Sequence, residues 1–184
     1  MICNFFNNFI EKVARILGTD DVLLRKVLDL CSDQLIMIKS ESQRLLARII
    51  KYANENEIIK RIEDVIGFAF LLEMLNSEHI LMKNEALIAL NILIIHCKDQ
   101  IVHKLVDQQI GLKIQQFLVN LDSFENYTFE VWMNALVLIE NLLKYKLMKS
   151  HFASFAIENQ LSSIATKHSD LNCKINELIN CMKY

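Results

Sequence analysis

The feature that most constrains this chain is its lack of residues that turn or break the backbone. It has no proline and only three glycines in 184 residues, whereas an average chain has roughly 5% proline. Glycine-rich cofactor and phosphate loops need closely spaced glycines, and no two glycines are near each other here, so both loops are excluded. A chain of β-hairpins is disfavoured because hairpin turns favour glycine. The sequence therefore predicts an all-α protein without a cofactor.

The composition further restricts the class of protein that this chain can belong to. Apolar residues make up 53% of the chain and the net charge is −2, which favours a packed core over disorder and gives no broad attraction to nucleic acid. The five cysteines form no C-x-x-C pair, so neither a disulfide framework nor a zinc motif is predicted, and a cytoplasmic or nuclear location is favoured. The longest uncharged stretch, 86–97, has 12 residues, which predicts a buried helix and no transmembrane segment.

Apolar residues recur at helical spacing along nearly the whole chain. The pattern predicts about ten helices, over approximately 5–17, 20–32, 41–53, 56–65, 68–76, 80–97, 100–109, 112–121, 128–146 and 150–183, the last broken near 157 and 168. Thr19 or Asp20 is predicted to cap the second helix, and Ser40 with Gln43 has the spacing of a capping box. Left-handed helix C-caps are predicted at the three glycines, Gly18, Gly67 and Gly111. Gap-filling core positions are predicted for Met37, Met74 and Met82.

Four long segments resemble one another, beginning at 42, 84, 133 and 172. Their equivalent contact positions are Leu45, Ala86, Ala135 and Ile175, which are 41, 49 and 40 residues apart. Armadillo and HEAT repeats have periods of about 40–47 residues. We therefore predict one domain over 1–184, an armadillo/HEAT-type α-solenoid of about three to four repeats, with units of roughly 1–53, 54–97, 98–146 and 147–184.

The first predicted helix is very apolar for the end of a solenoid, since it contains Phe5, Phe6, Phe9 and Ile10. Terminal repeats normally carry a polar outer face. The chain is therefore expected to be the C-terminal part of a longer solenoid, or to dock another molecule at this helix.

The stretch from Glu41 to Leu90 resembles the C-terminal armadillo repeats of the small-GTPase GDP-dissociation stimulator family, SmgGDS. The resemblance rests on Glu41-Ser42 with Arg44-Leu45-Leu46, on Ser77-Glu78-His79, and on Asn84-Glu85-Ala86-Leu87. It extends upstream through Leu17-Gly18 and Leu30-Cys31, and more weakly downstream from Asn134. The chain is far shorter than proteins of this family.

The resemblance implies a non-enzymatic regulator. Such proteins bind Rho- and Rap-type small GTPases that carry a polybasic, prenylated tail, promote the release of GDP and chaperone the GTPase. The alternative that stays open is a general armadillo scaffold for protein–protein interaction without exchange activity. An enzyme is disfavoured because the five histidines are scattered and no metal-binding spacing joins histidine to cysteine, although a Cys–His nucleophile assembled by folding is a third hypothesis.

Two candidate sites follow. The long helix of an armadillo unit lines a groove, and residues four apart share a helix face, which predicts a partner-binding groove formed by Asn84, Ile88, Ile92, Met133, Val137 and Asn141. No lysine or arginine lies between Lys113 and Lys144. This gap predicts an acidic patch that would attract a basic GTPase tail, formed by Asp122, Glu125, Glu130 and Glu140.

Overall fold

The described elements of the chain are all α-helices. The computed structural model describes residues 2–53, 55–66, 68–123 and 128–183, with the backbone alone at 2–8, 65–66 and 98–100, and no β-strand occurs within these ranges. The helices are α1 (Ile2–Thr19), α2 (Asp21–Leu30), α3 (Ile36–Ala53), α4 (Asn56–Ile66), α5 (Ala69–Leu75), α6 (Ile80–Asp107), α7 (Ile110–Ser123), α8 (Phe129–Leu143), α9 (Lys146–Ser154), α10 (Ile157–Lys167) and α11 (Asn172–Lys183). The all-α class is confirmed.

The clearest difference from the predicted helices lies in α6. The sequence predicts two helices, over 80–97 and 100–109, but the structure has one helix of 28 residues. Polar residues at 98–100 suggested a break, yet polar side chains alone do not interrupt a helix that lacks glycine and proline. The long helix brings the two predicted segments into one rigid element.

The predicted helix starts are right at α2 and wrong at α3. Asp20 caps α2, because its carboxylate accepts hydrogen bonds from two backbone N–H groups of the first turn at 2.9 and 3.0 Å. The predicted capping box at Ser40 does not form, since α3 already begins at Ile36. The Gln43 amide instead donates a hydrogen bond to the Glu73 carboxylate at 3.0 Å.

Two glycines permit close helix packing and are not C-caps. Gly18 lies inside α1 and Gly111 lies in the first turn of α7. A Cβ atom on Gly18 would lie 2.5 Å from Ile58 Cγ2, and one on Gly111 would lie 2.4 Å from Phe155 Cδ2. The absence of a side chain at these positions therefore lets α1 approach α4 and lets α7 approach the end of α9.

The left-handed backbone conformations lie elsewhere. Among the described residues other than glycine, positive φ angles occur at Gln109 (56°), before α7, and at Ala156 (51°), before α10. Both positions are junctions between consecutive helices, where the chain must change direction without glycine. Gly67, the third predicted C-cap, lies outside the described residues.

The four segments predicted to repeat form a row of neighbouring helices. Helix α3 packs on α6, α6 packs on α8, and α8 packs on α11. The other helices lie beside this row, with α1 on α3, α5 on α3 and α6, α7 on α5 and α6, and α10 on α7 and α11. We name the row of α3, α6, α8 and α11 the helix row.

Side-chain hydrogen bonds between distant residues also join pairs of neighbouring helices. The long-range side-chain hydrogen bonds in the described part of the chain join residues 30 to 50 positions apart. This range matches the predicted repeat steps and means that each helix is bonded to near neighbours in sequence. Such packing is consistent with an α-solenoid. The armadillo or HEAT type and the four unit boundaries remain predictions.

The hydrophobic core includes buried residues of all four helices of the helix row. Of the four equivalent contact positions, Ala86, Ala135 and Ile175 are buried and Leu45 is half-buried. Small side chains at a helix contact allow the two helix axes to approach, so the two alanines suit the packing of α6 against α8. The methionine prediction is right for Met74 and Met82, which are buried.

Met37 was predicted to lie in the core, but its side chain is 82% exposed. It lies in the first turn of α3, ahead of the part of that helix that is buried from Ser42 onward. Apolar periodicity alone does not show where along a helix the packed region begins.

Helix α6 contains the segment Ile80–Cys97, which is long and apolar enough to cross a membrane by length and composition. The same segment packs against α3, α5 and α8. It also carries Asn84, Glu85 and Asn91, whose side chains bond to the neighbouring helices. We interpret it as the central helix of the stack.

Candidate partner-binding face

The six residues of the predicted groove lie on two neighbouring helices of the helix row. Helix α6 supplies Asn84, Ile88 and Ile92, and α8 supplies Met133, Val137 and Asn141. Asn141 is buried and the other five side chains are half-buried. The structure thus places this set at the boundary between the α6–α8 contact and solvent, and we name it the α6–α8 face.

Asn84 bonds to α8. Its Oδ1 accepts a hydrogen bond of 2.8 Å from Asn134 Nδ2, and its Nδ2 donates one of 3.0 Å to Glu130 Oε1. Both ends of the amide are therefore occupied by protein partners. An incoming partner that bonds to Asn84 has to share or displace these contacts.

Asn141 is engaged in the same way two helical turns further along. Its Nδ2 donates to Asn91 Oδ1 at 3.0 Å, and its Oδ1 accepts from Lys144 Nζ at 2.7 Å. Asn91 Nδ2 in turn donates to the backbone carbonyl of Asn134 at 3.1 Å. We name Asn84, Asn91, Asn134 and Asn141 the amide ladder.

The sequence reasoning missed Asn91 and Asn134. The signal was present, because Asn84 and Asn91 are seven residues apart on α6 and Asn134 and Asn141 are seven residues apart on α8. Residues at this spacing lie two turns apart on one helix face. Two such pairs at a common offset of 50 residues indicate amides that meet across a helix contact.

The apolar members of the α6–α8 face are only half covered. Ile92 and Met133 pack against the core cluster, while Ile88 and Val137 are half-buried on the same two helices. A partner that covered them would remove further apolar surface from water, which favours binding by roughly 25 cal/mol per Å² buried. Methionine adapts its shape to a partner more readily than branched residues do.

The three described carboxylates of the predicted acidic patch each contact a different part of the protein. Asp122 is paired with Lys167 and lies 3.6 Å from His168 Nε2, while Glu140 is paired with Lys174 at 2.8 Å. The exposed Glu130 accepts the hydrogen bond from Asn84 described above. Glu125 lies outside the described residues.

These pairings determine what the carboxylates offer to a partner. The hydrogen bond from Lys174 to Glu140 raises the pKa of the lysine above its ordinary value, so this lysine stays charged at neutral pH beside the Glu140 carboxylate that it contacts. A basic partner has to compete with Lys167 at Asp122 and with Lys174 at Glu140. Glu130, at the start of α8, is the described member without an ion pair.

Cys31 and Cys97 do not resemble activated nucleophiles. Burial raises the pKa of Cys31 and of Cys97 to about 11 in each case, whereas a nucleophilic cysteine has a lowered pKa. Among the described residues, no group of three or more histidine, cysteine, aspartate or glutamate side chains is placed to hold a metal ion.

Comparison with known proteins gives the class of regulator that this helical stack resembles. No protein-family model matches the chain. Curated relatives are named as stimulators of GDP dissociation from a small GTPase, and the similarity to them is distant.

Two of these relatives come from Xenopus laevis. The chain is 30% identical over 129 residues to Rap1 GTPase-GDP dissociation stimulator 1-B and 26% identical over 129 residues to Rap1 GTPase-GDP dissociation stimulator 1-A. Each match covers 70% of this chain and 21% of the relative. The chain thus matches about a fifth of the length of these proteins.

Proposed function

We propose that this chain is a regulator of small GTPases that binds a Rap- or Rho-type GTPase and promotes its release of GDP. The similarity over 129 residues to proteins named as Rap1 GTPase-GDP dissociation stimulators carries the proposal. The half-covered α6–α8 face supplies a surface that suits a protein partner. The proposed location is the cytoplasm, with the nucleus as a second compartment.

The proposed mechanism needs no catalytic side chain. A binding protein accelerates GDP release when it binds the nucleotide-free or loosened state of the GTPase more tightly than the GDP-bound state. Ile88 and Val137 would pack against apolar residues of the GTPase. Glu130, together with carboxylates released from their lysine partners, would attract a basic and prenylated GTPase tail in a salt-dependent manner.

The first test is a direct binding titration. GDP-loaded Rap1 is labelled, and its affinity for the chain is measured beside the variant Val137→Asp and a matched control, Val119→Asp, which makes the same change at a 48% exposed position on α7. A buried charge in an interface centre weakens binding by about tenfold or more. We expect that loss for Val137→Asp and wild-type affinity for Val119→Asp, with equal helicity of all three chains by circular dichroism.

Nucleotide release, measured on the same samples as the titration, separates the alternative function. A chain that binds Rap1 without changing its nucleotide release would be a protein–protein scaffold. Absence of binding to the folded chain, or equal weakening by both variants, would contradict the proposed face. A Rap1 that lacks its basic tail should bind more weakly, and the difference should shrink as salt is raised.

A further inference from the structure

A second set of residues, different from those of the α6–α8 face, exposes apolar side chains at the beginnings of α3 and α6. Ile36 is 79% exposed and Met37 is 82% exposed in the first turn of α3, and Leu81 is 64% exposed in the first turn of α6. Leu35 and Ile38 beside them are exposed as well. Clustered exposed aliphatic side chains of this size mark an interaction surface more often than scattered single residues do.

These side chains line one groove. The groove has a volume of about 640 Å³ and lies between the N-terminal part of α3 and the segment that leads into α6. Its volume falls in the range of roughly 300–1,000 Å³ that is typical of ligand clefts. Two segments that are distant in the sequence line it together. Helix α3 supplies Glu41 and Arg44, and the segment before α6 supplies Glu78 and His79. We name it the α3–α6 groove.

Carboxylates outnumber cations by one among the charged side chains that line the groove. Glu41 and Glu78 both line it, and Arg44 is the one arginine or lysine among its lining residues. Arg44 is already bonded to Glu41 at 2.7 Å and to Glu85 at 3.1 Å. Glu78 is exposed and has no ion-pair partner among the described residues. The rim therefore offers negative charge beside an apolar floor.

This charge decides among the possible occupants. In a two-fold dimer through the groove, the second copy would add negative charge and no unpaired cation from its lining residues, because Arg44 is already bonded to Glu41 and Glu85, and this excess of like charge opposes association. An anionic membrane surface would be repelled for the same reason. A partner with aliphatic anchors flanked by lysine or arginine meets both the apolar floor and the acidic rim.

We propose that the α3–α6 groove binds a basic amphipathic helix of a partner protein. Aliphatic residues at i, i+3, i+4 and i+7 would contact Ile36, Met37 and Leu81, as in other helix-in-groove complexes. Lysine or arginine at the edge of the bound helix would face Glu78 and Glu41. The residues that line this groove are different from the six that form the α6–α8 face.

The test uses two synthetic helical peptides with the same leucine face, one flanked by lysines and the other by glutamates. Their binding to the whole chain is followed by fluorescence anisotropy. Leu81→Ser removes an apolar contact, and Val22→Ser, at a 64% exposed position on α2, is the matched control. Glu78→Lys reverses the rim charge, and Asp170→Lys makes an equal change in charge at an exposed residue between α10 and α11.

We expect the lysine-flanked peptide to bind and the glutamate-flanked peptide to bind at least about tenfold more weakly. Leu81→Ser should weaken binding about tenfold, and Glu78→Lys should reverse the preference between the peptides, while both controls behave as wild type. No binding, equal affinity for the two peptides, or insensitivity to Leu81→Ser would overturn the proposal. So would a dimer or binding to anionic phosphatidylserine vesicles that Leu81→Ser abolishes.

Discussion

Gly111 shows how much a single residue can decide in this structure. Replacing a helical glycine with alanine normally stabilises a helix by up to about 1 kcal/mol. Here the new Cβ atom would lie 2.4 Å from Phe155 Cδ2 and 3.0 Å from the His151 ring. The packing of α7 against α9 therefore opposes the helix propensity.

We predict that Gly111→Ala destabilises the chain by about 1–3 kcal/mol, the usual cost of overpacking. The free energy of unfolding is measured in urea. Phe155→Leu in the same chain should recover part of the loss, because it removes the nearest ring atoms. A stabilised Gly111→Ala chain would show that the helices move apart freely at this contact.

The stability of this contact depends on pH because His151 takes part in it. Its Nε2 accepts a hydrogen bond of 3.1 Å from the backbone N–H of Gly111, which requires that this nitrogen carries no proton. Burial lowers the pKa of His151 below its ordinary value of 6.5. The unfolded chain therefore binds a proton at a higher pH than the folded chain does.

It follows that His151 stabilises the fold above pH 6.5 and that this contribution is lost as the pH falls through and below that value. We predict a smaller loss of unfolding free energy between pH 7.5 and pH 5 in His151→Gln, whose side-chain oxygen still accepts a hydrogen bond but does not titrate in this range. Urea unfolding at both pH values measures the difference. An identical pH dependence in the two chains would show that His151 has the same pKa folded and unfolded.

At the scale of helices, the amide ladder fixes how α6 and α8 are aligned. A sliding movement by one turn would separate Asn91 from Asn141 and Asn84 from Asn134. An amide left without a partner at this half-buried contact costs about 1–3 kcal/mol. The ladder therefore specifies the alignment of the two helices as well as contributing to stability.

A double-mutant cycle tests this role. We predict that Asn91→Ala and Asn141→Ala are coupled by about 0.5–3 kcal/mol, as expected for residues in one hydrogen-bond network. Asn91→Ala combined with Asn180→Ala, at an exposed position on α11, should be additive. Unfolding free energies of the single and double variants give both values, and additivity in the first cycle would mean that the amide contact has no energetic role.

The helices themselves could be predicted well from the sequence, because a chain without proline leaves few alternatives. The cap at Asp20 and the burial of Ala86 and Ala135 follow from local chemistry and from the apolar spacing. The exposure of Met37 and the continuity of α6 did not follow, since both depend on where neighbouring helices pack. The pairing of amides across α6 and α8 also requires knowing which helices touch.

At the scale of the whole chain, ion pairs and hydrogen bonds join helices that are neighbours in the helix row. Arg44 and Arg48 of α3 both bind Glu85 of α6, at 3.1 and 2.8 Å, and Lys174 of α11 binds Glu140 of α8. Each step of the helix row is thus linked by polar side chains as well as by the core. Both proposed partner surfaces, the α6–α8 face and the α3–α6 groove, include residues of this row.

The central claim is that this chain regulates a small GTPase through the α6–α8 face. The measurement that tests it most directly is the release of a fluorescent GDP analogue from Rap1 bearing its basic tail, with and without the chain. We predict faster release as the concentration of the chain rises, loss of the effect in Val137→Asp, and retention of it in Val119→Asp. An unchanged release rate, with the chain shown by circular dichroism to be folded in the same cuvette, would contradict the claim.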